Sequence, residues 1–243
     1  MKAFRLLLLL LVVWCQSLPA FDTTLPADRE IFQKLKARVA GRGDVAEREI
    51  RRAGDRVIEL ENFISTEMDS KLAPVIFSDY AHWAQWVLPG INDKPDGGSY
   101  LTQLHGLEVD PSSPDLINVS FSFNVPLFRK PRTARFKLAS HTSAGIYTLS
   151  GRLLESEGTL AEATATMKIF PAEGIRNRCW LYVNGRVRLK SMILYEALPE
   201  KLLKREASER VRILLDNYAK EERERETARS GAKSATAPQI HKR

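Results

Sequence analysis

Apolar residues recur at every second position through most of the stretch between Gly97 and Lys190. The clearest run is 116–125. There Ile117, Val119, Phe121, Phe123 and Val125 alternate with Asn118, Ser120, Ser122 and Asn124. This period predicts β-strands with one covered face and one wet face. Turn residues divide the region into about six strands, at 100–109, 116–125, 132–139, 146–154, 160–170 and 179–190.

Other patterns flank this region. A strand is expected at 56–64, with Ile58, Leu60 and Ile64 on one face and Glu59 and Glu61 on the other. An extra strand at 45–51 could precede it, joined by a turn at Gly54-Asp55. Ile31, Phe32, Leu35 and Val39 suit a helix over 28–39. A helical stretch at 68–78 is limited by Pro74, and a second short helix opens at Asp79 and stops at Pro89-Gly90. After Pro199, the residues Leu203, Ala207, Val211, Leu214 and Tyr218 form one apolar stripe. They predict a helix over 198–225, about 40 Å long. Glu200 with Lys204, and Glu206 with Arg210, are expected as pairs on its exposed side.

The first residues do not fit a fold. Lys2 and Arg5 precede an apolar run from Leu6 to Trp14, followed by small and polar residues to Ala20. This is the order of a secretory signal peptide. As a helix the run is about 14 Å long, too short for a hydrocarbon core of about 30 Å. Cleavage fits after Ser17 or Ala20. The expected organisation is a signal peptide at 1–20, an N-terminal extension at 21–54, one domain at 55–226 and a disordered basic tail at 227–243. The product is then exported, periplasmic or secreted. Losing the signal also removes Cys15, which leaves Cys179 without an intramolecular partner. The formal charge of +7 includes Lys2 and Arg5, and the tail carries much of the rest. No basic stripe with interleaved aromatics points to nucleic acid.

The segment Phe77-Ser78-Asp79-Tyr80-Ala81-His82-Trp83-Ala84-Gln85-Trp86, followed by Leu88-Pro89-Gly90, resembles a pattern in the START-like, helix-grip (SRPBCC) superfamily. That superfamily includes coenzyme Q-binding proteins and polyketide cyclases. The order of strand, two helices, six strands and one long helix adds to the resemblance, which covers roughly 55–220. One departure is that Thr66-Glu67-Met68 stands where the family has a proline opening the first helix. The resemblance implies an α+β helix-grip fold. A curved antiparallel sheet of about seven strands would wrap a long C-terminal helix, with two short helices after the first strand. It also implies a cavity between sheet and helix, where members hold lipids, sterols, quinones or polyketides.

The cavity has candidate walls in the sequence. Ala163, Ala165 and Met167 share a face of the fifth strand with Ala161 and Ile169, and small side chains there leave volume. Leu203, Ala207 and Val211 would face them, and Phe121, Phe123, Phe136 and Trp83 complete the candidate set. The competing reading is an ordinary core packed to native density. Catalytic and metal patterns are absent, so neither a cofactor nor a metal is implied. His82, His105, His141 and His241 stand at no ligand spacing. Glu59 and Glu61 are expected to face water, with Arg186 and Arg188 as partners.

Three functions remain open at this stage. One is a non-catalytic protein that binds a lipid, quinone or other apolar molecule. Another is a cyclase-type or aromatase-type enzyme using Tyr147, Tyr182 or His105 as acid or base. The third is a protein-interaction module with a collapsed cavity. Separately, Leu127, Phe128, Arg129 and Lys130 combine apolar and cationic side chains in one loop, a composition suited to peripheral contact with an anionic membrane. A plain hairpin loop is the alternative.

Overall fold

The computed structural model describes residues 26–175 and 177–235. The signal segment at 1–20 lies outside them. Helix α1 (Pro26–Val39) is followed by β1 (Val45–Ala53) and β2 (Val57–Glu67). Next come α2 (Ala73–Ser78), a single 3-10 turn (Tyr80–His82) and α3 (Trp83–Val87). Six strands follow: β3 (Thr102–Asp110), β4 (Ser113–Phe123), β5 (Arg132–Ser143), β6 (Ile146–Ser156), β7 (Leu160–Pro171) and β8 (Arg178–Leu189). The short α4 (Met192–Ala197) then leads into the long α5 (Glu200–Ala235).

All eight strands form one antiparallel sheet in the order β1-β2-β8-β7-β6-β5-β4-β3. The chain therefore closes a seven-stranded helix-grip sheet by laying β8 between β2 and β7, and adds β1 outside β2. The extra strand is tied on by a tight hairpin in which Asp55 and Arg56 both take positive φ, 57° and 62°. Two positive values in succession match the twist of paired strands.

Several boundaries differ from the sequence expectation. The first short helix begins at Ala73, not near 68, and Pro74 sits in its first turn. A missing N–H costs nothing there, so the proline starts this helix rather than limiting it. The long helix passes 225 and runs to Ala235, so the expected tail is helical over 227–235, and 236–243 lie outside the described residues. Among the described residues, no helix is long and apolar enough to cross a membrane.

The sheet is covered on both faces at one end. On the convex face, Phe32, Leu35 and Val39 of α1 pack against Phe63, Phe170, Trp180 and Tyr182. The Phe32 and Trp180 rings are 5.3 Å apart. The Arg38 guanidinium lies over the Phe63 ring at 4.4 Å, and Lys168 pairs with Asp28. The N-terminal extension is therefore part of the packed structure, through both α1 and β1.

On the concave face, α2, α3 and α5 are locked together by aromatic rings. Phe77 stacks on Tyr218 at 5.2 Å and meets Trp86 edge-on at 5.6 Å. Trp83 packs edge-on against both Tyr80 and Trp86. Asp79 bonds His82 and Arg225, each at 2.7 Å, and Asn217 donates to the Pro89 carbonyl. Burial pushes the Asp79 carboxyl up, but the bonds from His82 and Arg225 outweigh this and hold it below its usual range. The residues that carry the family-like motif thus fasten the long helix to the sheet.

Cys179 is fully buried and is the free cysteine of the described residues. Its thiol donates to the Met68 carbonyl. Burial, with Asp69 and Glu222 nearby, pushes its pKa up to about 12. Since the thiolate is the nucleophile, native protein at neutral pH is expected to resist iodoacetamide, while unfolded protein reacts at once. Mass-spectrometric counting of adducts with and without denaturant checks this. Rapid native labelling would contradict the burial.

Candidate functional site

Helix α5 crosses the concave face and meets the sheet mainly at its edges. It packs against β1 on one side and α3 on the other. Hollows flank it on both sides. A groove of about 780 Å³ lies on the β1–β2 side, with Arg48, Ser65, Met68, Val211 and Leu215 in its walls. A smaller hollow of about 270 Å³ lies on the β3–β4 side, between Val87, Ile91, Leu104, Phe121 and Leu214.

Between them, one rung of the sheet carries little side-chain bulk. Ala165 of β7 pairs with Gly151 on one side and Gly185 on the other. These three residues make one rung across β6, β7 and β8. Strand alternation places them on the concave face, with Met167 and Ile169. Ala165 is exposed, although it sits mid-strand on the concave face. Neither glycine has a positive φ. A Cβ placed on Gly185 would meet a backbone oxygen at 3.7 Å and nothing closer. At Gly151 the Leu138 side chain leans in, 3.1 Å from such a Cβ. Glycine inside a strand weakens it. Gly185 is therefore not required by backbone geometry or crowding. Its effect is to leave the floor open.

Polar groups stand one rung from this floor. Asn62 of β2 pairs with Arg48 of β1 and with Val183 of β8. It is only 3% exposed, and its Oδ1 has no hydrogen-bond partner among the described residues; the same holds for Arg48 Nε. Arg48 donates to Ser208 on α5, and burial lowers its pKa.

The structure does not bring the expected cavity residues together at one place. Ala165 and Met167 belong to the open centre. Val211 lines the larger groove and Phe121 the smaller hollow. Phe123 and Ala163 are buried, Phe136 and Leu203 pack on the same cluster as Phe123, and Trp83 belongs to the aromatic clamp. Ala207 is half-buried on α5.

Helix α5 also carries charge where the sequence placed it outside. Glu206 is 5% exposed and accepts a bond from the Leu101 backbone N–H. Arg210 bonds Thr102 through Oγ1 and its carbonyl, and lies 4.6 Å from the centre of the Tyr100 ring. Glu206 and Arg210 thus tie the helix to the start of β3 instead of pairing in solvent. Their spacing at i, i+4 suits a surface pair, and only the tertiary contact to β3 reveals the other role.

The suggested acid–base groups do not converge. Tyr147 is buried against the aromatic clamp, where its hydroxyl meets Ser78 at 2.9 Å. Burial raises its pKa. Tyr182 lies on the convex face and donates to Glu61 at 2.6 Å; burial first, then Glu61, pushes its pKa far up. His105 bonds Ser122, which alternation places on the face of β4 opposite Phe121 and Phe123. Glu59 pairs with Arg186 at 3.7 Å, whereas Arg188 pairs with Glu162 and Asp55 rather than Glu61.

No family model matches the chain, and no curated protein matches it. Solved structures do resemble it. A STAR-related lipid transfer protein from Xanthomonas axonopodis is 10% identical over 70% of this chain and 92% of its own, with a TM-score of 0.47. An aromatase/cyclase from Streptomyces is 13% identical over 66% and 92%, at 0.44. A START superfamily protein from Mycobacterium smegmatis is 12% identical over 66% and 93%, at 0.41. The deciding observation is this chain's own topology, with β8 laid between β2 and β7 and a long helix across the concave face. The fold is START-like. To the START-like sheet this chain adds β1 at one edge and α1 on the convex face.

Proposed function

We propose that this is an exported, non-catalytic protein that holds an apolar small molecule between its START-like sheet and α5. The observation that carries the reading is the rung Gly151–Ala165–Gly185 on the concave face, where Ala165 is exposed and both glycines are half-buried. An apolar body could rest on that floor, against half-buried Met167, Val183 and Leu60. Arg48 and Asn62, one rung away, would serve as the few polar anchors such a site needs. A lipid or a quinone has this chemistry. The proposed export would bring the cavity beside a membrane, which favours lipid-like cargo. The separation of Tyr147, Tyr182 and His105 gives no support to the cyclase-type alternative.

The test is solvent extraction of protein purified without detergent, followed by mass spectrometry. An apolar compound in stoichiometric amount is expected. Finding none, together with no change in tryptophan fluorescence on adding lipids or quinones, would count against the proposal.

A further inference from the structure

A second surface is built from two segments that share one anchoring cluster. In the β4–β5 loop, the Phe128 N–H donates to the Val125 carbonyl at 3.0 Å, closing a turn with Pro126 and Leu127 in the middle. Leu127 has φ 72°, the value that a type II turn asks of glycine or asparagine. It is also 80% exposed. A branched apolar side chain here strains the backbone and buries nothing within the protein.

Phe128, next in the chain, packs on the cluster that contains Leu194 of α4. Just before Leu194, Met192 and Ile193 are 52% and 62% exposed. The same end of the sheet thus presents three large apolar side chains on two convex tips. Among the described residues, the other exposed large apolar side chains, Val75, Leu154 and Ile175, stand on separate elements.

The charges beside these tips are largely positive. Arg129 and Lys130 are exposed, and neither makes an ion pair among the described residues. Lys190, beside α4, donates to the Ser156 carbonyl and makes no ion pair among the described residues. Nearby carboxylates are engaged: Glu157 accepts from the Thr133 N–H, Glu155 pairs with Arg135 and Glu162 with Arg188. Glu196 on α4 remains exposed.

From this we infer that Leu127, Met192 and Ile193, with Arg129, Lys130 and Lys190, form a docking surface for an anionic lipid bilayer. Apolar tips enter the headgroup region while flanking cations meet lipid phosphates. Protruding tips suit insertion between headgroups better than contact with a flat protein face. This goes beyond ligand binding, and vesicle attachment needs no occupied cavity, so its failure leaves the ligand reading untouched.

Cosedimentation with phosphatidylcholine vesicles, with and without phosphatidylglycerol, tests it. Binding to the anionic vesicles is expected to be about tenfold stronger or more, and to weaken as salt rises. Leu127→Gly relieves the turn, so its thermal midpoint is expected to hold or rise while vesicle binding falls about tenfold. Ile193→Ser should lose binding likewise, and Arg129→Glu with Lys130→Glu should abolish the anionic preference. Three results would overturn the inference. One is wild-type binding to neither vesicle. Another is vesicle binding unchanged in Leu127→Gly and Ile193→Ser. The last is a dimer in sedimentation velocity that Ile193→Ser dissolves, since a second copy would then cover the surface.

Discussion

Replacing Ala165 with phenylalanine is expected to block ligand uptake without unfolding the protein. Ala165 is exposed on the concave face, and its cross-strand neighbours are Gly151 and Gly185. A phenyl ring there can lie over Gly185, where no side chain intrudes, and aromatic residues suit strands better than alanine. The thermal midpoint should hold or rise. The ring would occupy the space proposed for the ligand, so affinity should fall at least about tenfold, or about 1.4 kcal/mol. Gly185→Val should act in the same direction, since a Cβ there meets no side chain. Thermal melts and ligand titration on the same samples separate the two effects. A variant that melts far below wild type would show that the floor is packed in the native protein.

The second large effect is expected on the convex face. Leu35 is fully buried between α1 and the sheet, beside Phe63, Phe170 and Trp180. Leu35→Ala should cost about 2–5 kcal/mol, because the rings around it cannot collapse fully into the space left. Against a total stability of about 5–15 kcal/mol, that is a large fraction. Urea denaturation followed by tryptophan fluorescence measures it, with Trp180 as a local reporter. A loss below about 0.5 kcal/mol, the usual range of surface substitutions, would mean that α1 is only loosely docked.

Much of the sheet was legible because alternation is a local signal. Strands β4, β7 and β8 read correctly to within a few residues, since their polar and apolar positions repeat every second residue. The role of α1 was harder to see. The helix itself was visible in Ile31, Phe32, Leu35 and Val39, but its partner was not. A signal did exist. Phe63-Ile64 and Cys179-Trp180-Leu181-Tyr182 are apolar on both faces, and all six are buried. Continuous apolar runs mark strands covered on two sides, which requires a layer outside the helix grip.

The site was half legible for a related reason. The small residues on β7 stand out along the chain, and Ala165 does lie at the open centre. Gly151 and Gly185 join it only through register, which no single strand reveals. The same limit hid Glu206 and Arg210, whose partners Leu101 and Thr102 are about a hundred residues away in sequence. The motif around Trp83 pointed to the fold correctly, yet its rings serve the clamp on α5.

Native mass spectrometry on wild-type and Ala165→Phe protein, both purified without detergent, tests the central claim most directly. The expected result is wild-type protein that carries an apolar molecule, or takes up an added lipid or quinone, beside an Ala165→Phe variant that stays empty. Wild-type protein that remains empty and takes up neither, or a variant that loads equally well, would contradict it.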